Sequence, residues 1–163
     1  MTRNHTELRT ADNGLRTADA GQRSAWGTTL LRVAVGLIFT AHGAQKLFEM
    51  TPAGLAGFFG QIGIPLPEFN AYFIIALELL GGLAMIAGLG TRIVAALFAA
   101  VMVVAIATVH GAHGFFLPNG YEYNLVLLAG SIALTLQGAG AFAVDNVLAH
   151  RAGSDARLSP VRV

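Results

Sequence analysis

The sequence predicts an all-α integral membrane protein: a four-helix bundle with both termini cytoplasmic and a short interfacial helix in its first outer loop. Three observations predict it. Hydrophobic residues make up 55% of the 163 and charged ones only 12%, and the mean hydropathy is +0.63, far from soluble averages. Four apolar runs each approach the roughly 20 residues that cross a hydrocarbon core. The charges gather at the chain ends, with Arg3, Arg9, Arg16 and Arg23 before the first run and Arg151, Arg157 and Arg162 after the last. The lipid bilayer is therefore the main partner. A net charge of +1, with no basic stripe interleaved with aromatics, gives no argument for nucleic acid. The absence of cysteine excludes disulfides, thiolate metal sites and thiol chemistry within this chain.

Residues 1–24 are polar and repeat Leu-Arg-Thr-Ala-Asp at 8–12 and 15–19. A single repeat is too short for a coiled coil, so the segment reads as a flexible cytoplasmic tail. The four-span domain covers 25–147. Its first span runs from Trp26 to Phe48, with Trp26 at the interfacial depth aromatics favour. A cleaved signal peptide is the rival reading, and the long polar lead and the His-Gly-Ala-Gln-Lys that closes the run argue against it. Spans at 69–89, 93–110 and 123–142 follow. Gly90, Thr91 and Arg92 link two of them so tightly that these helices must be antiparallel neighbours. Residues 148–163 read as a second flexible cytoplasmic tail. Lys and Arg fall on the side of the termini and Arg92, with Lys46 alone opposite, which places both termini inside. In the outer 49–68 loop, Thr51-Pro52 starts a helix, Leu55, Phe58, Phe59 and Ile62 give it an apolar face, and Pro65 and Pro67 end it. Such a helix can cover the outer mouth of the bundle as a lid.

An ionisable side chain inside a span is costly, which makes it a functional candidate whose partner must be named. Glu78 is the clearest, about nine residues into the second span and so roughly 13 Å deep. It shares a face with Gly81, Gly82 and Met85, where small residues allow close helix approach. On the first span, Arg32, Gly36, Phe39, Gly43 and Lys46 share a face, with His42 at its edge. Lys46 is either the counter-ion of Glu78 or a snorkelling anchor. His42 can donate a hydrogen bond, relay a proton or ligate a metal, or be a structural histidine. Arg32 lies toward the cytoplasmic end, where Asp145 is its natural partner in a structural ion pair. His110 and His113 close the third span and either can face a cavity. Glu122, Tyr123 and Asn124 open the fourth, and Glu122 can simply favour the helix N-terminus. Glu122, Asn124, His42, Lys46 and His110 share one depth, so the expected outer-half site has Glu78, His42 and Lys46 as catalytic groups. Asn124, His110 and Glu122 are its ligand-binding groups, and no metal site is assigned.

The combination of Arg32 with Gly36, His42-Gly43 with Lys46, Glu78 with Gly81-Gly82, and Gly-Ala-Gly followed by Asp145 resembles the DoxX family over about residues 30–147. The resemblance implies a multi-pass protein of the bacterial inner membrane. It also implies links to quinone-dependent oxidation of sulfur compounds and to oxidative-stress complexes, with a superoxide dismutase and a sulfurtransferase-type protein as partners.

Four functions compete. The first is the membrane subunit of an oxidoreductase system that binds a quinone or similar small redox ligand in the outer-half site, where Glu78 and His42 would carry protons. No electron-transfer centre is visible in the sequence, so electrons would come from a partner or cofactor. The second is a haem or metal protein using His42 with His110 or His113. A non-catalytic anchor or assembly factor that recruits soluble redox proteins is the third. The fourth is a small transporter, for which four spans without an inverted repeat give little support. The glycine and alanine faces of spans two and three leave a homodimer open.

Overall fold

The computed structural model describes residues 3–158, whose regular structure is helical with no strand among them. Helix α1 runs Arg3–Gln45 and continues as a π-helical turn over Lys46–Met50. It is followed by α2 (Pro52–Gln61), α3 (Pro67–Ala87) and α4 (Thr91–Ala105). A second π turn (Ile106–His110) and a 3₁₀ turn (Gly111–His113) prolong α4. Helices α5 (Glu122–Gln137) and α6 (Val144–Leu158) complete the chain.

At both ends the described residues are helical. The segment read as a flexible N-terminal tail is helical from Arg3 and joins the first span without a break. No proline precedes Pro52, good helix formers such as Ala, Leu, Arg and Gln recur, and Asp19 and Arg23 pair at 2.8 Å one turn apart. The C-terminal segment is likewise helical as far as Leu158, and residues 159–163 lie outside the described residues.

Three segments are long and apolar enough to cross a membrane: Arg16–Met50, Pro67–Ala87 and Thr91–His113. The fourth apolar run yields a helix of only 16 residues, about 24 Å long against a core of about 30 Å. It stops short because Gly138 (φ 88°) and Gly140 (φ 70°) turn the chain before the apolar sequence ends. Arg92 caps this end by donating to the carbonyls of Thr135 (3.1 Å) and Gln137 (3.4 Å).

Helices α1 and α3 form the tightest seam. A Cβ on Gly43 would lie 2.5 Å from the Leu79 amide nitrogen, and one on Gly36 would lie 2.9 Å from the Gly82 carbonyl. The glycines thus set the approach of the two helices. Across α4, the Phe98 ring stacks on Phe39 at 3.6 Å. With buried Val35, Met85, Leu127 and Leu134, this stack makes a dry layer through the middle of the bundle.

Helix α2 lies where a lid was expected. Thr51 caps it, its hydroxyl accepting from the Gly54 amide at 3.2 Å. Leu55, Ala56 and Phe59 are buried against Ala71 and Ile75 of α3, with Phe58 and Ile62 packed at the edge. Burial of Leu55 and Phe59 holds the lid down by about 1.5–3 kcal/mol each. At the opposite end, residues 21–28 of α1, the α3–α4 link with Arg92, and Asp145 of α6 surround one polar cleft. The segments whose charge set the predicted topology therefore share one end of the bundle.

Candidate functional site

The site begins with the register of α1 on α3. The glycine seam brings Lys46, in the π turn, beside the middle of α3, and its Nζ lies 2.6 Å from Glu78 Oε2. The Glu78 side chain is almost fully buried and that of Lys46 about one-fifth exposed. Desolvation of a buried pair roughly cancels its Coulomb attraction. Stability alone is thus a poor reason to keep these charges inside an apolar bundle.

The pair opens onto a cavity of about 580 Å³ at the lid end, which His42, His110 and Asn124 also line. That size is typical of a small-molecule site. The His110 ring lies with Nδ1 3.0 Å from the Asn119 carbonyl. Since a carbonyl only accepts, Nδ1 carries the proton of that bond and Nε2 is left to face other groups. Buried Asn124 has its amide nitrogen 3.7 Å from the Met102 sulfur, a weak partner that leaves most of its hydrogen-bonding capacity unused. His42 lies beside Tyr123, with ring centroids 6.2 Å apart.

The other candidates fall elsewhere. The Glu122 carboxylate accepts from the Leu117 amide at 2.9 Å, fixing the 114–121 loop, and does not line the cavity. His113 bonds back to the Val109 carbonyl at 2.9 Å and also lies off the cavity wall. Three polar contributors were not assigned to the site from sequence: Tyr123, Asn70 and Thr108 all line the cavity. Asn70 sits next to the proline-rich turn and donates to the Pro65 carbonyl at 2.7 Å. Its nearness to the lid's end was the available signal. The π turns 46–50 and 106–110 each contribute wall residues, as such turns often do at functional sites. Among the described residues, no group of three or more His, Cys, Asp or Glu side chains is gathered to hold a metal.

Arg32 and Asp145 meet differently from Lys46 and Glu78. Arg32 is 2% exposed and its guanidinium packs onto Gly88 beside Ala143. It donates to the Phe142 carbonyl at 3.4 Å, while its Nε and the other terminal nitrogen have no partner. Asp145 accepts from the Gly90 amide at 2.7 Å and the Thr91 amide at 3.0 Å, capping α4 from a distant element. No direct salt bridge joins Arg32 and Asp145 among the described residues; they act on each other through space. Burial pushes the Asp145 carboxyl up, but the Thr91 and Gly90 amides and the Arg32 charge outweigh it and hold the group below its usual value.

Comparison with known proteins gives a consistent picture. The DoxX family model matches residues 27–111, which takes in Arg32, His42, Lys46, Glu78 and His110 and stops before Glu122, Asn124 and Asp145. The protein named "Putative oxidoreductase CatD" of Bacillus subtilis is 46% identical over 119 residues, covering 73% of this chain and 84% of that protein. The uncharacterized membrane protein Rv3486 of Mycobacterium tuberculosis is 32% identical over 133 residues, covering 75% and 81%. An uncharacterized protein of Haemophilus influenzae is 32% identical over 122 residues, covering 71% and 86%. No solved structure matches the chain.

Proposed function

We propose that this chain, which belongs to the DoxX family, is a membrane subunit of an oxidoreductase system that binds a quinone or similar small redox ligand in the lid-end cavity. The observation that carries the reading is the Lys46–Glu78 pair, 2.6 Å apart, at the wall of a cavity that is otherwise largely apolar. The relative named as an oxidoreductase supports it.

The residues fit such a group. A bound quinone would supply a pair of carbonyls that accept two electrons and two protons. Lys46 has three donors, one of which goes to Glu78, so two remain to hold a carbonyl oxygen. Asn124 offers an amide from the facing helix, and Glu78 and His42 can hold or pass on protons. The lid and the 114–121 loop limit water over these groups. The chain has no cysteine for a thiol couple or a thiolate-bound cluster, so electrons would come from a partner or a further cofactor. The family links to sulfur and oxidative-stress metabolism make a superoxide dismutase and a sulfurtransferase-type protein the partners to test. In this reading α5 makes the fourth crossing, with residues 138–142 among the headgroups. Both termini then lie on the cytoplasmic side of a bacterial inner membrane.

The test is solvent extraction and a reduced-minus-oxidised spectrum of protein purified in mild detergent, beside Glu78→Gln and His42→Ala. Quinone retained by wild type and lost from folded Glu78→Gln supports the site. A haem band lost with His42→Ala would replace the quinone by a haem. A second reading, an anchor that recruits soluble partners, is favoured by the exposed turns of α1 from Arg16 to Ser24. It expects no extractable redox ligand and partner recovery unchanged by Glu78→Gln.

A further inference from the structure

The lid-end cavity reaches the surface at the exposed Leu117 and Pro118 of the second loop and also on a lipid-facing side. Leu55 and Phe59 of the lid, with Leu117 and Pro118 of the second loop, line its aqueous end. Between α3 and α4 the wall is different. The two helices touch where Gly81 meets Phe98 and Val94, a Cβ there lying 3.3 Å from each. Farther toward the lid, the cavity itself lies between them, lined by Phe73 of α3 and by Leu97, Ala100 and Val104 of α4. Leu97, Ala100 and Val104 recur at helical spacing, and all four residues are also exposed on the outside of the bundle. A residue that both lines a cavity and faces outward marks an opening, and here the opening lies on the face of apolar span helices.

The polarity of the cavity is graded to match. Lys46, Glu78, His42, His110 and Asn124 supply the charged and polar wall, whereas Phe73, Leu97, Ala100 and Val104 of the slot are apolar, with polar Asn70 and Thr108 one turn nearer the lid. We infer that this slot is a lateral portal that takes the ligand from the bilayer and holds its alkyl or prenyl tail, with the head group at the Lys46–Glu78 pair. The inference rests on the proposed ligand site and narrows it to lipid-dissolved molecules with a polar ring and an apolar chain.

The experiment compares two probes with the same head group, 2,3-dimethoxy-5-methyl-1,4-benzoquinone without a tail and with a decyl tail. Binding is measured to the full chain in nanodiscs for wild type, Glu78→Gln, Ala100→Trp and Val104→Trp. The portal predicts that wild type prefers the decyl probe by about tenfold or more, and that the preference collapses toward one when either tryptophan fills the slot. Equal affinity of wild type for both probes, with Glu78→Gln still weakening each, overturns the portal and leaves the head-group site standing. If neither probe binds, the quinone reading fails. The portal is then read through Val101→Trp in a Trp26→Phe background, in lipid with brominated acyl chains. Quenching shows that alkyl chains enter the slot. No quenching, or a disulfide-linked dimer formed by Leu97→Cys in this cysteine-free chain, overturns the portal in favour of a closed wall or a second copy.

Discussion

The two ends of the bundle each hold a cation from α1 and a carboxylate from another helix, yet they use them in opposite ways. At the lid end Lys46 touches Glu78 directly and an open cavity adjoins them. At the other end Arg32 is packed onto Gly88, and Asp145, at the edge of the cleft there, is occupied by the Gly90 and Thr91 amides. A buried charge with room next to it can meet a ligand. One tied to backbone amides holds elements together. The same pairing of residue types therefore separates into a candidate ligand site and a clamp, and the difference is whether the carboxylate is tied to backbone amides or left beside a cavity with only its lysine.

The contrast breaks most sharply at Arg32. Arg32→Ala empties a filled site and leaves Asp145 without its cation, which is expected to cost about 3 kcal/mol, read as a lowered thermal midpoint in detergent. Ligand retained below that midpoint should be unchanged; lost retention would show that the two ends are not separate. Gly43→Ala tests the seam between them. Its methyl would press on the Leu79 backbone, costing about 2 kcal/mol and drawing Lys46 away from Glu78, so both stability and retention should fall. Glu78→Gln should lower ligand binding by about tenfold or more, equivalent to about 1.4 kcal/mol, with a smaller change in thermal midpoint. A collapse of the fold instead would make Glu78 a clamp like Arg32.

Smaller effects sharpen the clamp. Asp145→Ala removes the cap on α4 and should cost about 1 kcal/mol, whereas Asp145→Asn keeps an acceptor and should cost less. Because the folded Asp145 carboxyl is held below its usual value, its contribution is complete at neutral pH and is lost as pH falls through the folded value. Acid melts of wild type should therefore decline more steeply in that range than those of Asp145→Asn. Parallel curves would remove Asp145 from the account.

The lid end was the more legible in sequence. A carboxylate inside an apolar run and a cation at the edge of another are conspicuous, and the even spacing of Leu55, Phe58, Phe59 and Ile62 marked the lid. The clamp was misread in one respect, because the amides that receive Asp145 lie on a link more than 50 residues away and leave no pattern in the side chains. Arg32 was placed near Asp145, but its fit against Gly88 depends on three helices at once. The helical ends are polar segments without apolar periodicity, so only propensity speaks for them. The early stop of α5 shows the converse, since apolar sequence runs on to Phe142 while the backbone turns at Gly138. Tyr123 and Asn70 joined the cavity through the closure of loops whose paths local sequence does not dictate.

The dry layer of Phe39, Phe98 and their neighbours has an electrical consequence. Glu78 is the twelfth of the 21 residues of α3, so it stands near the middle of the membrane's field. A proton reaching it from the lid end crosses roughly half of the transmembrane potential, about 1 kcal/mol per 100 mV. In the proposed reading, a proton that enters and leaves Glu78 by the lid end moves no net charge of its own across the membrane.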